Sequence, residues 1–369
     1  MHDPYGALYI HIPFCTSRCA YCDFATQAMD PASPVVAEYM ENLVLDIRRS
    51  AKEGKLSQIK TVYVGGGTPS HLGSKYLSQL FYTLGLSMHL TEEVECSMEA
   101  NPESLDERLV CDLWALGVNR LSIGVQSFND SLLETLGRAH DAEGARRAII
   151  AAQTRFENVS IDLMCALPGQ TLQDFRESVQ EAIDLGVKHI SVYPLAIEPH
   201  TLFDSWVLAG QIEEVDPDRE AEMMQLAAEM LEAAGFVRYE VASYAQPGFE
   251  CRHNTAYWTG VPYLGLGSSA VTMTQNAERR MRVQDGEVVD DLSAAQICAE
   301  DLMLGMRLTR GISEEQVHHA THLLDALPAT LADLESRGLV THTHSRYRPT
   351  CRGWLCGNEL YGDLLDLAP

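Results

Sequence analysis

Six short apolar runs punctuate the first 195 residues, and a polar, helix-like stretch follows each of them. The runs are "ALYIHI" at 7–12, "KTVYVGGG" at 60–67, "EVECSME" at 93–99, "NRLSIGVQ" at 119–126, "VSIDLMCALPG" at 159–169 and "HISVYPL" at 189–195. They are short and rich in β-branched residues, which predicts strands. Between them, segments such as "VVAEYMENLVLDIRRSAKEG" and "ESVQEAIDLGV" place apolar residues three and four apart, which predicts helices. Strand followed by helix, six times over, predicts a parallel α/β architecture, either an open sheet or a barrel. In both, the loops at the strand C-terminal ends carry the site.

Polar and glycine signals fall at those ends. Cys15, Cys19 and Cys22 follow the first strand, and "GGGTP" ends the second. Glu99 and Asn101 end the third, Gln126 the fourth, and Asp162 lies in the fifth. Beyond residue 200 the rhythm changes. "DPDREAEMMQLAAEMLEAAGF" predicts a helix ending at glycine, and "VRYEVASYA" a strand. "CRHNTAYWTGVPYLGLGSSA" reads as a glycine-flanked aromatic loop, and "QNAERRMRVQDGEVVDD" as a hairpin. From about residue 295 a small helical domain is expected. The expected organisation is therefore 1–215, 216–294 and 295–369.

Composition narrows the class. Hydrophobic residues make up 46% and charged residues 21%, so the chain has enough apolar surface for a core. The formal net charge of −25 repels phosphate backbones, so no nucleic-acid partner is expected. The sequence shows no transmembrane run and no signal peptide. A reducing, cytoplasmic location follows, where ten cysteines serve as core residues, metal ligands or catalytic groups rather than as disulfides.

Three of those cysteines fall within eight positions, in "CTSRCAYC". Three thiolates on a short loop can hold three corners of a 4Fe-4S cubane and leave the fourth iron for an exogenous ligand. Zinc would need a fourth protein ligand, and His11 lies in a strand four residues before Cys15. A thioredoxin-like pair would leave Cys15 unexplained. One strand later, "GGGTPS" offers backbone groups that could hold a zwitterionic amino acid, although alone it would read as a tight turn.

"CTSRCAYC" resembles the CxxxCxxC motif of radical S-adenosylmethionine (SAM) enzymes, with Tyr21 as the aromatic before the last cysteine. The resemblance implies that the methionyl group of SAM chelates the unique iron. It also implies that one electron from the cluster cleaves SAM to methionine and a 5′-deoxyadenosyl radical. The wider frame, through "VYVGGGTPS", "MEANPES", "GVNRLSIGVQSF", "LGRAH", "IDLMCALPGQT" and "HNTAYW", is similar to the oxygen-independent coproporphyrinogen III oxidase family. That likeness implies a partial (β/α)6 barrel, a post-barrel α+β segment and a small winged-helix-like C-terminal domain. By motif it places Tyr9 beside the cofactor and Gly66, Gly67 and Thr68 at the methionyl end. Glu99, Gln126, Arg138 and Asp162 would line the rest of the SAM pocket.

Two departures point to the heme-chaperone branch of HemW type rather than to the oxidases. The oxidases carry a fourth cysteine where this chain has Phe24, and they carry an N-terminal extension for which the early first strand leaves no room. The branch resemblance implies heme contact at HNxxYW, through His253, Tyr257 and Trp258; by residue chemistry Cys251, two residues before His253, is a second candidate iron or thiol ligand. The resemblance implies heme-accepting partners, among them membrane-associated respiratory hemoproteins, and a homodimer is a further expectation. A true oxidase of coproporphyrinogen III, or a metal-binding module with a decayed site, are the competing readings. "HHATH" at 318–322, "THTH" at 341–344 and the pair Cys351 and Cys356 read as surface or loop features, with "RPTCRGWLCGNEL" keeping a glycine-rich turn.

Overall fold

A computed structural model describes residues 2–88, 90–91, 93–213 and 216–369. The strands are β1 Ala7–Ile12, β2 Phe14–Cys15, β3 Gln27–Ala28, β4 Thr61–Gly66, β5 Glu95–Ala100, β6 Arg120–Gln126, β7 Asn158–Cys165 and β8 His189–Pro194. After these come β9 Val237–Arg238, β10 Ser243–Ala245, β11 Tyr263–Leu266, β12 Val271–Gln275, β13 Arg279–Gln284 and β14 Glu287–Ser293. The last three are β15 Ile312–Ser313, β16 Val340–Thr343 and β17 Arg346–Pro349. Helices α1 Pro34–Lys52, α2 Gly73–Ser87, α3 Glu107–Ala115, α4 Asp130–Leu136, α5 Ala142–Gln153 and α6 Leu172–Asp184 alternate with the first strands. Then follow α7 Leu202–Leu208, α8 Pro217–Ala233, α9 Arg252–Trp258, α10 Ala294–Met306, α11 Glu314–Ala320, α12 Leu327–Ser336, α13 Cys351–Leu355 and α14 Gly357–Leu365.

The six apolar runs form β1, β4, β5, β6, β7 and β8, neighbours in that order and all parallel. Alternation splits each strand between two faces. Leu8, Ile10, Val62, Val64, Met98, Leu121, Ile161 and Ile190 bury against the helices in the main core. The opposite face carries Tyr9, His11, Thr61, Tyr63, Glu95, Glu99, Arg120, Ser122, Asp162 and His189. Parallel sheets usually present apolar residues on both faces. Here one face is polar and nevertheless largely buried, so it must be satisfied internally. Ser160 Oγ lies 2.7 Å from His189 Nδ1, and His189 Nε2 lies 2.8 Å from Tyr239 Oη.

The strands of the post-barrel segment expected over 216–294 are divided between the two edges of this sheet. β10 and β9 extend it beyond β8, while β11 to β14 extend it beyond β1. α8 buries Met223, Leu226 and Leu231 in the same core. The single strand expected over 237–245 is broken into β9 and β10, because the Glu240 carboxylate turns the chain by accepting from Ala242 N at 3.2 Å. The hairpin expected over 275–291 is present as β13 and β14, with Asp285 and Gly286 both at positive φ.

The C-terminal unit has its own core, built from Leu302, Met306, Leu331, Leu334, Leu360 and Leu364 among others. Its small antiparallel sheet runs β15-β17-β16. It is tied to the main sheet through the buried Arg280 of β13, which pairs with Glu300 and, at 2.8 Å, with Asp301 of α10. The stretch expected as a glycine-rich turn, 348–360, is two short helices. Thr350 caps the first by accepting from Gly353 N at 3.0 Å.

Candidate functional site

The cysteine loop is held from three sides. β2 pairs with β3, joining Cys15 to Ala28. Ala20 N donates to Leu136 O at 3.0 Å, and Phe203 N donates to Ala20 O at 3.0 Å. Cys22 N closes a turn on Cys19 O at 3.3 Å. All three sulfur-bearing residues are half-buried and line one cavity of about 150 Å³. The same cavity is lined by Gly66, Gly67, Thr68, Glu99, Gln126, Arg138 and Asp162, so seven of the eight residues expected around SAM converge there. Tyr9 does not reach this wall. It stands behind it, 6.4 Å from the Tyr63 ring, with its hydroxyl 3.0 Å from His11 Nδ1.

Two sulfurs receive donors: Thr68 Oγ1 lies 3.4 Å from Cys15 Sγ and Arg138 Nη1 lies 3.5 Å from Cys19 Sγ. Burial pushes the Cys15 and Cys22 thiols up, against the pull of Thr68 and Thr26 on Cys15 and of Phe24 N–H and Thr26 on Cys22. No three His, Cys, Asp or Glu side chains among the described residues are gathered as a single metal ion requires. That includes the 318–322 and 341–344 histidines and Cys351 with Cys356. All ten cysteines are free.

Each glycine of "GGG" has its own steric reason. A Cβ on Gly65 would come within 2.7 Å of the Glu99 carboxylate, and one on Gly67 within 2.8 Å of Ile12 O and Phe14 O. Gly66 sits at φ +113°, where a Cβ would overlap the His11 ring. The backbone N–H groups of this turn are already used. Gly67 N donates to Ile12 O and Thr68 N to Phe14 O, both at 2.8 Å, stitching the turn to the cysteine strand. Gly66 N donates to Glu99 Oε2 at 2.9 Å, and Tyr63 Oη donates to Glu99 Oε1 at 2.9 Å.

Glu99 remains hard to ionise despite those donors. Burial, the largest effect, holds its pKa up at about 7. Burial likewise raises Asp162 to about 6, opposed by the Arg120 guanidinium. Gln126 reaches the cavity from a non-glycine positive φ of 67°, at a register shift between β6 and β7. Such an irregularity re-aims a side chain at the end of a strand. Asn101 stands out in the sequence only as a strand-end residue, yet it is a hub. It donates to Thr68 Oγ1 at 3.0 Å and accepts from Arg138 Nη2 at 2.9 Å, coupling the donors of both sulfurs. Its signal is the position directly after β5, in "MEANPES". Arg138 Nε is buried without a partner.

A second chamber of about 330 Å³ adjoins the first and shares Cys22, Glu99, Gln126 and Asp162. Phe24, 63% exposed, lines both. From the other end of the polar face, Asn254 of α9 reaches this chamber.

α9 replaces the loop expected at HNxxYW. Its cap is in part tertiary: the Glu95 carboxylate of β5 accepts from Arg252 N at 2.9 Å and His253 N at 3.0 Å. His253 is 1% exposed and stacks on Tyr63 at 5.1 Å. Its Nδ1 lies 2.9 Å from Thr61 Oγ1 and its Nε2 3.1 Å from Tyr257 Oη, so neither ring nitrogen is free. Burial lowers its pKa to about 3, and it pushes the Cys251 thiol up to about 12. The glycine-flanked loop expected here is therefore a helix with its imidazole hydrogen-bonded on both sides; α9 plugs the sheet's polar face from its N-terminal end. Trp258 lies at the edge of the plug, its ring 4.5 Å from the Arg307 guanidinium.

Residues 9–182 match the model of the radical SAM superfamily, and residues 292–356 that of the HemN C-terminal domain. The chain is 35% identical to the heme chaperone HemW of Bacillus subtilis, over 97% of this chain and 98% of that protein. It is 37% identical to the heme chaperone HemW of Escherichia coli, over 72% of this chain and 69% of that one. Among solved structures, the coproporphyrinogen III oxidase HemN of Escherichia coli superposes with a TM-score of 0.80 at 21% identity. The match covers 99% of this chain and 90% of HemN, a likeness of fold.

Proposed function

Because the chain belongs to the HemW family within the radical SAM superfamily, we propose that it is a carrier that binds heme and hands it to acceptor hemoproteins. In this reading a 4Fe-4S cluster and SAM sit at the C-terminal ends of the parallel strands. The carrying observation is the convergence of Cys15, Cys19 and Cys22 with the glycine turn and four polar strand-end residues on one cavity.

The donor set fits a cluster better than zinc. A zinc ion draws its thiolates to about 2.3 Å from one point, whereas a cubane presents separate corners. When bound, the cluster supplies the electron for SAM cleavage. The chain's own part is positional. Thr68 and Arg138 donate to the Cys15 and Cys19 sulfurs and fix their positions. Because the turn's N–H groups are taken, the carbonyls of Gly66 and Gly67 are what remains for the SAM ammonium. Glu99 and Asp162 would accept ribose hydroxyls, and Arg138, whose Nε is orphaned, would meet the carboxylate. Tyr9 would support from behind through Tyr63 and Glu99.

The fold is read as a partial (β/α)6 barrel with a winged-helix-like C-terminal unit. Phe24 stands where the oxidases have their fourth cysteine, so turnover of coproporphyrinogen III is not expected. No helix among the described residues is long and apolar enough to cross a membrane, so delivery to membrane-associated hemoproteins would proceed by docking. The test is an anaerobic incubation of the reconstituted protein with coproporphyrinogen III, SAM and reductant, beside heme transfer to an apo-hemoprotein. Transfer without protoporphyrinogen IX supports the carrier; product above a no-enzyme control restores the oxidase.

A further inference from the structure

A basic concavity lies far from the cysteines, between the N-terminal ends of the parallel strands and the C-terminal unit. It has a volume of about 940 Å³, and α9 contributes Arg252 and Thr255 to its wall. Arg238, Arg310 and Arg348 complete its set of guanidiniums, against two carboxylates, Glu95 and Glu250. Both carboxylates are occupied by backbone N–H groups: Glu95 by Arg252 and His253, and Glu250 by Gly248 at 3.1 Å. In a chain of net charge −25 this cleft therefore holds an excess of two positive charges.

Two of the arginines are structural. Arg238 lies 4.4 Å over the Trp354 ring and donates to Glu240 O at 3.3 Å, and Arg252 donates to Glu93 O at 2.8 Å. Arg310 and Arg348 form no ion pair among the described residues, and their guanidiniums donate to nothing there. Arg346 is fastened alongside, donating to Arg310 O at 2.7 Å and Gly311 O at 2.8 Å. Burial and the neighbouring Arg310 and Arg348 lower its pKa, so three like charges crowd one edge. Such crowding costs stability unless an anion relieves it. Asn158 Oδ1 is buried on the same wall without a partner.

Beside the arginines the wall offers an apolar strip, Val237, Leu308 and the ring of Tyr239, among the polar Asn119, Asn158, Thr255 and Thr309. A flat apolar body carrying two anionic arms matches this pairing of surfaces, and the volume lies in the range of cofactor pockets. The chamber at the opposite end also has aromatic lining, Tyr21, Phe24, Tyr63 and Tyr193, but the wrong charge for carboxylates. It has about 330 Å³ and is lined by Asp23, Glu99, Asp162 and Glu198 against one arginine, Arg120. We propose that the cleft seats the two propionate carboxylates of a bound porphyrin, with Arg310 and Arg348 pairing with them, an inference that rests on the heme-carrier reading above. Heme then lies against α9 from outside, and His253 supports that helix rather than ligating iron.

The test titrates wild type and Arg310→Gln/Arg348→Gln with ferric heme and with its dimethyl ester, with inorganic phosphate as competitor. The double variant should bind ferric heme at least about tenfold more weakly, a charge-assisted effect. The ester should bind both proteins equally and less tightly than heme binds wild type. Iron content after reconstitution and the melting midpoint should match wild type, showing an intact fold. If wild type takes up no heme, this proposal and the carrier reading both fall. If heme binds the double variant as it binds wild type, only the propionate seat falls. The seat falls equally if the ester binds wild type as tightly as the free acid, a comparison that needs no variant. Displacement by phosphate of the protein's anion affinity with no effect on heme would assign the cleft to free phosphate and overturn the seat.

Discussion

The two ends of the polar sheet face carry the same kinds of side chain and leave them in opposite states. At the C-terminal end, three half-buried thiols face a cavity, Arg138 keeps an orphaned N–H, and burial raises the pKa of two carboxyls. At the N-terminal end, Cys251, His253 and Glu95 are equally plausible ligands by type. There, Glu95 caps α9 and His253 has both nitrogens bonded. The difference teaches that a ligand is identified by unspent lone pairs and access, not by residue type. An unsatisfied buried group costs free energy, and that cost is tolerated where a ligand will later repay it.

The comparison breaks most sharply at the thiols. Cys15→Ala, Cys19→Ala or Cys22→Ala should abolish assembly of the cluster, read as iron and sulfide content with Mössbauer spectra. Cys251→Ala, with Cys96→Ala, Cys111→Ala, Cys165→Ala and Cys298→Ala, should leave it intact. A stoichiometric zinc site in wild type would remove the contrast.

A smaller but still large effect is expected at the plug. Glu95→Ala orphans the buried His253 N–H and the part-buried Arg252 N–H and should lower stability by about 3 kcal/mol in denaturant titration. His253→Ala should cost about 2–4 kcal/mol through lost packing and hydrogen bonds, with the heme spectrum unchanged in shape. A shifted Soret band with unaltered stability would show instead that the imidazole leaves Thr61 and Tyr257 to bind iron.

The pH dependence sharpens the contrast further. Glu99 titrates near 7 in the fold, above its unfolded value, so the folded chain binds the extra proton between those two values. Metal-free protein should then lose stability as pH rises from about 4.5 to 7, by on the order of 3 kcal/mol, with no further loss above. Asp162 adds a smaller loss ending near pH 6. Glu99→Gln should flatten the first slope, and an unchanged profile would mean that Glu99 ionises normally. The smallest effect is at the rim of the plug. Trp258→Phe deletes an N–H that has no partner and should cost about 1 kcal/mol, mostly through the Arg307 contact.

Much of the fold and of the cysteine site is legible in one dimension. Period-two and period-3.6 patterns are local, so the six strands and their helices lie close to where the apolar runs put them. The cysteine spacing, the glycine turn and the strand-end polar residues are legible for a related reason. Parallel topology carries every strand's C-terminal end to the same edge, so order along the chain predicts convergence in space. Gly66 shows how strong that signal is, because only glycine fits its φ and the nearby His11 ring.

What the sequence by itself determined, then, was the strand–helix rhythm, the edge at which chemistry collects and the family frame. Tertiary structure alone decided three other things. It completed the cap of the helix at "CRHNTAYW", because Glu95, more than 150 positions away in the chain, accepts from Arg252 N and His253 N beside the local Cys251 cap. It closed the second nitrogen of the His253 imidazole, because Thr61 approaches from β4 while Tyr257 of the same helix takes the first. It also brought Arg310 and Arg348 of the C-terminal unit against Arg238 and Arg252, forming a basic cleft in an acidic chain. No local pattern encodes these outcomes, since each depends on which distant group reaches a donor, an acceptor or a charge first.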